Sequence, residues 1–210
     1  MRSRAAIRAE ALVIVFARAP VPGRVKTRLV PALGARGAAS LYARLAERTV
    51  RVARAARIGP VELHCAPSAA HPFFRRFAER KRVQKGADLG ERMYRALRHG
   101  LRRHRAVLLV GSDCPVLRAA HLRRAAQWLR GGVDAVFAPA RDGGYALIGL
   151  SRISCKLFRN IPWGSRRVMA RTRARLRRLG WRWRALPRLW DVDRPEDALR
   201  MARTLRATLW

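Results

Sequence analysis

The chain alternates between short apolar runs and longer amphipathic stretches. Most of the apolar runs contain few polar positions, which is typical of strands buried on both faces. They lie at Ala11–Ala17, Val61–Cys65, Ala106–Gly111 and Val133–Pro139. Apolar residues at helical spacing occupy the intervals at about Ala35–Arg57, Leu89–Arg103 and Pro115–Arg130. This strand–helix alternation predicts an α/β domain with a largely parallel central sheet.

The last quarter of the chain continues the pattern with three further elements. Pro162 precedes a predicted helix at about Ser165–Leu179, a short strand is predicted at Trp181–Leu186, and a final helix is predicted from Pro195. Asp193 is the predicted N-cap of that last helix, because a short polar side chain there can accept from a free backbone N–H. The first of these helices has the apolar stripe Val168, Thr172, Leu176 and Leu179.

Composition supports a globular protein of one domain. Half of the 210 residues are hydrophobic, which is enough apolar material for a packed core and excludes a disordered basic tail. No apolar run approaches the roughly 20 residues that span a bilayer. Residues 1–10 read as a basic tail without the pattern of a signal peptide, and residues 11–210 as the domain. The expected location is the cytoplasm, with reduced thiols at Cys65, Cys114 and Cys155.

The net charge is strongly positive, but it comes mostly from arginine spread along the chain and is therefore weak evidence for nucleic-acid binding. The chain has 47 Lys+Arg against 13 Asp+Glu, a formal charge of +34, and only four of the basic residues are lysines. Arginine spread over the whole chain is what a GC-rich codon pool produces, so nucleic-acid binding is not required to explain it. The charge still attracts polyanions at long range.

Because acidic residues are scarce, the aspartates at strand ends are informative. Asp88, Asp113, Asp142, Asp191 and Asp193 follow predicted strands or lie in turns with Gly and Pro. Ligands of open α/β sheets bind at the carboxyl ends of the strands, so some of these aspartates are expected to hold a metal ion. Oxygen ligands of this kind suit Mg²⁺ or Mn²⁺.

Two of these aspartate segments are candidate metal-binding segments. Asp113 comes directly after a buried strand, in Gly111-Ser112-Asp113-Cys114-Pro115. Asp191 and Asp193 are two residues apart, and strand alternation would place both on one side, facing one cation. For each segment, capping of the following helix is an alternative explanation of the aspartates.

A basic loop after the first strand is a candidate phosphate site. A Gly turn that enters a helix offers backbone N–H groups to phosphate, and Arg24, Lys26 and Arg28 add positive charge. The loop lacks both the Walker and the GxGxxG patterns, so an ordinary basic loop is the alternative. A Gly pair at Gly143-Gly144 would let the backbone approach a ligand closely, and Tyr145 would pack on that ligand or fill the core.

Taken together and in order, six motifs resemble a known superfamily. They are FARAPVPGRVKTRL, GADLGERM, GSDCP, PARDGGYALIGL, IPW and DVDRPEDAL, and they extend from about Ala11 to Leu205. The chain resembles bacterial transferases of the GT-A (nucleotide-diphospho-sugar transferase) superfamily, which is related to cofactor nucleotidyltransferases. The resemblance implies a single-domain, three-layer αβα fold with a mostly parallel sheet.

The resemblance also implies roles for individual residues. Catalysis falls to Asp113 and Lys26, and metal binding to Asp113 and Asp193, with Asp191 as the alternative second ligand. This chain departs from the family in having a single aspartate in GSDCP, so metal binding depends on that distant pair. Nucleotide binding falls to Pro22, Gly23, Arg24, Lys26, Arg28 and Asp88. Binding of the sugar or acceptor falls to Asp142, Gly143, Gly144 and Tyr145.

Three functional hypotheses follow. The first is a glycosyltransferase that uses Mg²⁺ or Mn²⁺, a nucleotide-diphospho-sugar donor and an unknown acceptor. The second is a nucleotidyltransferase, of the guanylyltransferase type, that joins an NTP to a phosphorylated acceptor. The third, of a different class, is a basic module with a degenerate site that contacts nucleic acid non-specifically or the surface of a membrane. It relies on the Arg-rich segment 166–184 with Trp181, Trp183 and Trp190.

Overall fold

A seven-stranded sheet forms the centre of the protein. The computed structural model describes residues 9–206, with the side chains of 10–202. Ala9 and Glu10 belong to the first strand, and the rest of the predicted basic tail lies outside the described residues. The strands are β1 (Ala9–Arg18), β2 (Val61–Ala66), β3 (Arg80–Val83), β4 (His104–Gly111), β5 (Ala135–Pro139), β6 (Tyr145–Leu150) and β7 (Trp183–Ala185).

The strand order is β3-β2-β1-β4-β6-β5-β7. All pairings are parallel except those of β6, which is antiparallel to both β4 and β5. This confirms the predicted mostly parallel sheet. The order reverses between β1 and β4, so the carboxyl ends of these two strands flank the switch point at which ligands of such sheets bind.

Helices cover both faces of the sheet and complete the three layers that the motifs implied. The helices are α1 (Val30–Ala56), α2 (Pro72–Arg75), α3 (Leu89–Leu101), α4 (Ala119–Arg130), α5 (Val168–Arg178) and α6 (Pro195–Arg206). On one face, alternate β1 residues such as Val13 and Val15 pack with α1, α2 and α4. On the other, Leu12 and Ile14 pack with α3 and α5. Alternation along one strand therefore builds both halves of the core.

Two strands were not predicted, and two of the predicted helices begin four or five residues away from the predicted position. β3 is an edge strand of sequence RKRV, and charged edge strands carry no apolar signal. β6 follows β5 after the short turn 140–144 and lies outside the predicted strands. α1 begins at Val30 rather than at Ala35, across a non-helical Gly34, and α4 begins at Ala119 rather than at Pro115.

The segment 189–193 is joined by backbone hydrogen bonds to the end of β5 and to the residues that follow β4. Leu189 N donates to Pro139 O at 2.8 Å, and Val192 N donates to Asp113 O at 3.0 Å. Val192 and Trp190 are buried against Leu29 and Leu45. These contacts bring a distant C-terminal segment to the residues that follow β4.

The remaining global predictions concern the thiols and the membrane. Cys65 and Cys114 are buried free thiols, and burial raises the pKa of Cys65 to about 11 and that of Cys114 to about 12. Cys155 is a half-buried free thiol. Within residues 9–206, no helix has the length and apolar character needed to cross a membrane.

Candidate functional site

One ammonium group joins two of the predicted carboxylates. Lys26 Nζ lies 2.9 Å from Asp113 Oδ2 and 2.7 Å from Asp193 Oδ1, so it donates to both. The Lys26 side chain is 6% exposed, whereas those of Asp113 and Asp193 are 37% and 39% exposed. The structure therefore brings Lys26 together with two residues that lie 87 and 167 positions further along the chain.

The loop before α1 turns Lys26 inward. Lys26 has a left-handed backbone conformation, with φ of 47°, which is uncommon for a residue with a side chain and is often found at functional sites. Its neighbour Val25 is buried with Ala39 and Tyr42 and anchors the loop. At the exposed tip, Gly23 has φ of 74°, and no atom lies within 4 Å of the position a Cβ would take.

The two carboxylates decide the charge state of Lys26. Burial lowers the pKa of its ammonium, but the opposite charges and hydrogen bonds of Asp113 and Asp193 outweigh burial, so the pKa is raised. Lys26 is therefore a fixed positive charge at neutral pH. Arg28 Nη1 lies 3.9 Å from Asp193 Oδ2 and adds a second, more exposed cation.

Asp191 has surroundings unlike those of Asp193. Its Oδ1 is buried and has no hydrogen-bond partner within the described part of the chain. Burial raises the pKa of Asp191 well above the usual aspartate value, and the negative charges of Asp113 and Asp142 raise it further. The positive charge of Lys26 acts in the opposite direction but does not outweigh them. A buried carboxylate oxygen that has no partner and lies near other carboxylates favours a cation there.

The strand alternation proposed for Asp191 and Asp193 is wrong. The segment is not a β-strand, and its two carboxylates serve different surroundings. Asp193 binds Lys26 and lines a cavity of about 320 Å³, whereas Asp191 lines a larger one of about 450 Å³. Val192, whose N–H is held by Asp113, separates the two side chains.

Asp193 is also not the residue that directly precedes the last helix. α6 begins at Pro195, so Arg194 precedes it. The Asp197 carboxylate accepts from the backbone N–H groups of Asp193 and Arg194, at 3.1 Å and 2.9 Å. The side chain of Asp193 is directed to Lys26 instead, because an ammonium is a stronger partner than a backbone amide.

A buried polar network behind Asp113 was not predicted. Tyr42 Oη and Ser112 Oγ are 2.7 Å apart, and Tyr42 Oη accepts from Arg18 N at 2.7 Å. Burial raises the pKa of Tyr42, so the phenol stays protonated. Since Arg18, Tyr42 and Asp113 line both cavities, the network forms their common wall. A tyrosine within the apolar stripe of α1 carries no sequence signal for this role.

The larger cavity has an apolar lining that includes two rings. Trp163 and Tyr145 meet edge to face, with 6.4 Å between ring centroids. The indole also lies against Gly90, where a Cβ would come within 2.3 Å of Trp163 Nε1. Gly90 of the GADLGERM motif therefore makes room for the tryptophan of the IPW motif. Burial raises the pKa of Tyr145. Its side chain packs against the core and also lines the larger cavity.

The Gly pair after β5 has two different functions. Gly143 has φ of 91° and packs against the backbone of Arg166, whose carbonyl oxygen would lie 2.3 Å from a Cβ. Its close approach is thus to the chain itself and not to a ligand. Gly144 lines the larger cavity, and its N–H donates to Asp142 Oδ1 at 2.9 Å.

Asp88 lies outside both cavities. It is the N-cap of α3, accepting from Glu91 N at 2.7 Å, and its neighbour Leu89 lines the larger cavity. Pro22, Gly23, Arg24 and Arg28 are exposed around the smaller cavity, of which Arg24 and Arg28 form part of the wall.

The carboxylates can hold a metal only with help from a ligand. Within residues 9–206, no three side chains of the metal-binding types converge closely enough to form a site by themselves. Mg²⁺ is usually bound through one or two carboxylates, with substrate phosphates and water as the other ligands. The unpartnered Asp191 oxygen near Asp113 fits that kind of site.

The tryptophans of the Arg-rich segment pack against the rest of the protein and do not offer free ring faces for stacking on bases. Trp181 and Trp190 are buried. Arg152 lies over the Trp181 ring and Arg173 over the Trp183 ring, at 5.3 Å and 5.6 Å from the centroids. Their faces are therefore covered by cations of the same chain, which removes the base-stacking argument for a nucleic-acid module.

Comparison with solved structures gives the class of the fold. A Desulfovibrio desulfuricans protein, provisionally assigned as a nucleotide-diphospho-sugar transferase, is 31% identical to this chain, with a TM-score of 0.81. The match covers 89% of this chain and 83% of the Desulfovibrio chain. A Methanothermobacter nucleotidyl transferase is 18% identical, with a TM-score of 0.62, and the match covers 93% of this chain and 99% of the transferase.

A more distant neighbour has bound ligands. Glucosyl-3-phosphoglycerate synthase from Mycobacterium tuberculosis, in complex with Mn²⁺, UDP and glucosyl-3-phosphoglycerate, is 14% identical, with a TM-score of 0.54. The match covers 97% of this chain and 79% of the synthase. Among curated proteins, none matches the chain.

The chain has the GT-A-like fold that nucleotide-diphospho-sugar transferases share with nucleotidyltransferases. It belongs to the family described as "uncharacterized protein conserved in bacteria" (DUF2064), whose profile matches residues 49–165, more than half of the chain. This confirms the superfamily that the six motifs indicated.

Proposed function

We propose that the protein transfers a glycosyl group from a nucleotide-diphospho-sugar to an acceptor, with the help of Mg²⁺ or Mn²⁺. The observation that carries this proposal is the pairing of Lys26 with Asp113 and Asp193, beside the unpartnered Asp191, at the carboxyl ends of β1 and β4. The 31% identical nucleotide-diphospho-sugar transferase neighbour supports the same class of reaction.

The donor phosphates bind at the smaller cavity. Lys26, Arg24 and Arg28 supply positive charge there, and the open tip at Pro22 and Gly23 leaves room for phosphate oxygens. Phosphate competes with the aspartates for the Lys26 ammonium. Binding of the donor therefore loosens Asp113 and Asp193 from the lysine and holds the leaving group next to a fixed cation.

Asp113 and Asp191 are the proposed metal ligands. Asp193 already has two cations close by, Lys26 and Arg28, whereas Asp191 has none bonded to its buried oxygen. Of the two ligand pairs that the resemblance implied, this favours Asp113 with Asp191 over Asp113 with Asp193. When bound, the metal ion would neutralise charge on the departing phosphates.

The larger cavity accommodates the sugar and the acceptor. Its wall near Asp113 contains Asp142, Gly144 and Tyr145, while Trp163 and other apolar side chains exclude water. An acceptor hydroxyl held there attacks the anomeric carbon as the bond to the nucleoside diphosphate breaks. Asp142 is the exposed carboxylate placed to take the hydroxyl proton. Asp88 contributes through α3, which it caps beside this cavity.

Nucleotidyl transfer is the second candidate. The chain shares its fold with the Methanothermobacter nucleotidyl transferase as well as with glycosyltransferases, and the same charged groups suit both reactions. In this reaction a phosphorylated acceptor attacks the α-phosphorus of an NTP, and pyrophosphate leaves. Lys26 and the two aspartates would have the same roles.

The test is incubation with labelled NTPs and with UDP-, GDP- and dTDP-sugars in the presence of Mn²⁺. Release of a nucleoside diphosphate from a nucleotide-sugar is expected; release of pyrophosphate from an NTP alone would establish the second candidate instead. Asp113→Asn should lower the rate by about 100-fold or more, because it removes a charge from the reacting centre. Glu196→Gln, on the exposed start of α6, is the matched control and should leave the rate unchanged.

A further inference from the structure

A second, strongly basic groove lies between the edge strand β3 and helix α3. Its volume is about 600 Å³, and seven arginine and lysine side chains line it without any acidic residue. Arg92, Arg95 and Arg102 follow one another at helical spacing along one side of α3, over about 15 Å. Lys85, just beyond β3, lies on the opposite side.

The charges in this groove are only partly compensated. Arg82 Nε lies 3.1 Å from Glu62 Oε2, and Arg95 Nε lies 2.8 Å from Glu91 Oε1. Among the described residues, Lys85, Arg98 and Arg102 form no ion pair or side-chain hydrogen bond. Like charges on neighbouring helical turns repel one another and destabilise a helix, so a bound anion would relieve this repulsion.

The composition of the groove also separates it from the general arginine excess. Lysine is the rare basic residue in this chain, with four in 210 residues. Lys81 and Lys85 both line the groove, and Lys26 lies at the active site. Codon bias towards arginine does not explain lysines that concentrate at these two places.

The groove is continuous with the proposed reaction cavity. Gln84 and Arg92 line both, so they form the connection between them. Each is held in place: Gln84 Nε2 donates to His64 O at 2.8 Å, and Arg92 Nε donates to Gly86 O at 3.0 Å. A molecule in the groove could therefore reach the cavity past two positioned donors.

We propose that this groove binds the phosphate groups of the acceptor, and that the acceptor therefore carries two or more phosphates in a row. Arginine and lysine are the side chains that recognise phosphate by charge-assisted hydrogen bonds. That the bound phosphates belong to an acceptor rests on the proposed transferase function. The phosphate site itself depends only on the groove.

Inorganic tripolyphosphate is the probe for this site, titrated near physiological salt and followed by calorimetry and by the imidazole NMR signals. His99 lines the groove and should shift, whereas His121 on α4, across the sheet, should not. Lys85→Glu with Arg98→Glu should weaken binding about tenfold or more. Arg171→Glu with Arg178→Glu, exposed on α5, changes the net charge equally and should have less than about a twofold effect.

Equal losses in the two double variants would mean general attraction to a basic protein and would overturn the proposal. Loss of the His99 response in Lys26→Met, with its retention in Lys85→Glu/Arg98→Glu, would mean that the anion binds only at the donor loop and would also overturn it. If instead no nucleotide donor is turned over but the groove variant alone loses tripolyphosphate, the groove stands and the transferase function fails.

Discussion

At the scale of single residues, the site depends on how each carboxylate is compensated. Asp193 has an ammonium 2.7 Å away, and Asp113 shares that ammonium at 2.9 Å. Asp191 has a buried oxygen with no hydrogen-bond partner in the described chain and a raised pKa, caused first by burial and then by Asp113. Ionisation of Asp191 is therefore unfavourable in the free protein, and a bound cation would stabilise the ionised carboxylate.

Asp191→Asn should stabilise the free protein and abolish its response to metal. Because the folded-state pKa of Asp191 is raised, its ionisation removes stability as the pH rises from the usual aspartate value through the folded-state value. Asparagine cannot ionise, so the melting temperature at pH 7 should rise, by about 2–4 °C for each kcal/mol gained. The gain should vanish below the usual aspartate pKa of 3.8.

Thermal unfolding with and without Mg²⁺ and nucleotide measures both effects. Asp88→Asn is a matched control: asparagine caps a helix about as well as aspartate, so this variant loses only the charge–dipole contribution of about 0.3–1 kcal/mol and should not raise the melting temperature. A lower melting temperature for Asp191→Asn at pH 7, or an undiminished response to Mg²⁺, would contradict the assignment of Asp191.

At the scale of elements, the turn between β5 and β6 is tied to the start of α5. Gly143 O accepts from Met169 N at 2.8 Å, and its Cα lies against the Arg166 backbone. This contact positions Asp142, Gly144 and Tyr145 beside the cavity. The glycine is thus needed for packing between elements, and the ligand-facing residues follow from that packing.

Gly143→Ala should destabilise the protein more than a glycine replacement elsewhere. The new Cβ would meet a backbone oxygen at 2.3 Å, and φ of 91° is strained for alanine. The combined cost is on the order of 2–4 kcal/mol. Gly180→Ala has a positive φ but open space, and should cost about 1 kcal/mol. Equal denaturation midpoints for the two variants would show that the Arg166 contact is not tight.

At the scale of the whole molecule, the charge of +34 repels itself. The 13 acidic residues are too few to compensate it, so the folded state brings many like charges closer together than the unfolded chain does. The melting temperature should therefore rise with NaCl, since the screening length falls from about 30 Å at about 0.01 M to about 3 Å at about 1 M.

A comparison of two charge variants in sulfate separates general salt effects from anion binding. Sulfate stabilises any folded protein by exclusion from its surface, so occupation of the basic groove predicts a smaller gain with sulfate in Lys85→Glu/Arg98→Glu than in Arg171→Glu/Arg178→Glu. A melting temperature that stays constant or falls as NaCl is added would show that the charges are spaced too widely for repulsion to matter.

Much of this organisation could be predicted from the sequence. The apolar runs of β1, β4 and β5 are strong signals because strands buried on both faces allow few polar residues. The six motifs identified the fold and brought Asp113, Lys26 and the C-terminal aspartates into one hypothesis. β3 gave no such signal, because an exposed, charged edge strand resembles a loop.

The sequence by itself determined the alternation of strands and helices, the buried residues of the central strands and the choice of candidate site residues. Only the tertiary structure decided which two aspartates Lys26 binds, that the buried oxygen of Asp191 has no partner within the described residues, and that Gly143 packs on Arg166. The reason is physical: local periodicity reflects burial, whereas an ion pair across 167 positions depends on how the two loops approach at the end of the sheet.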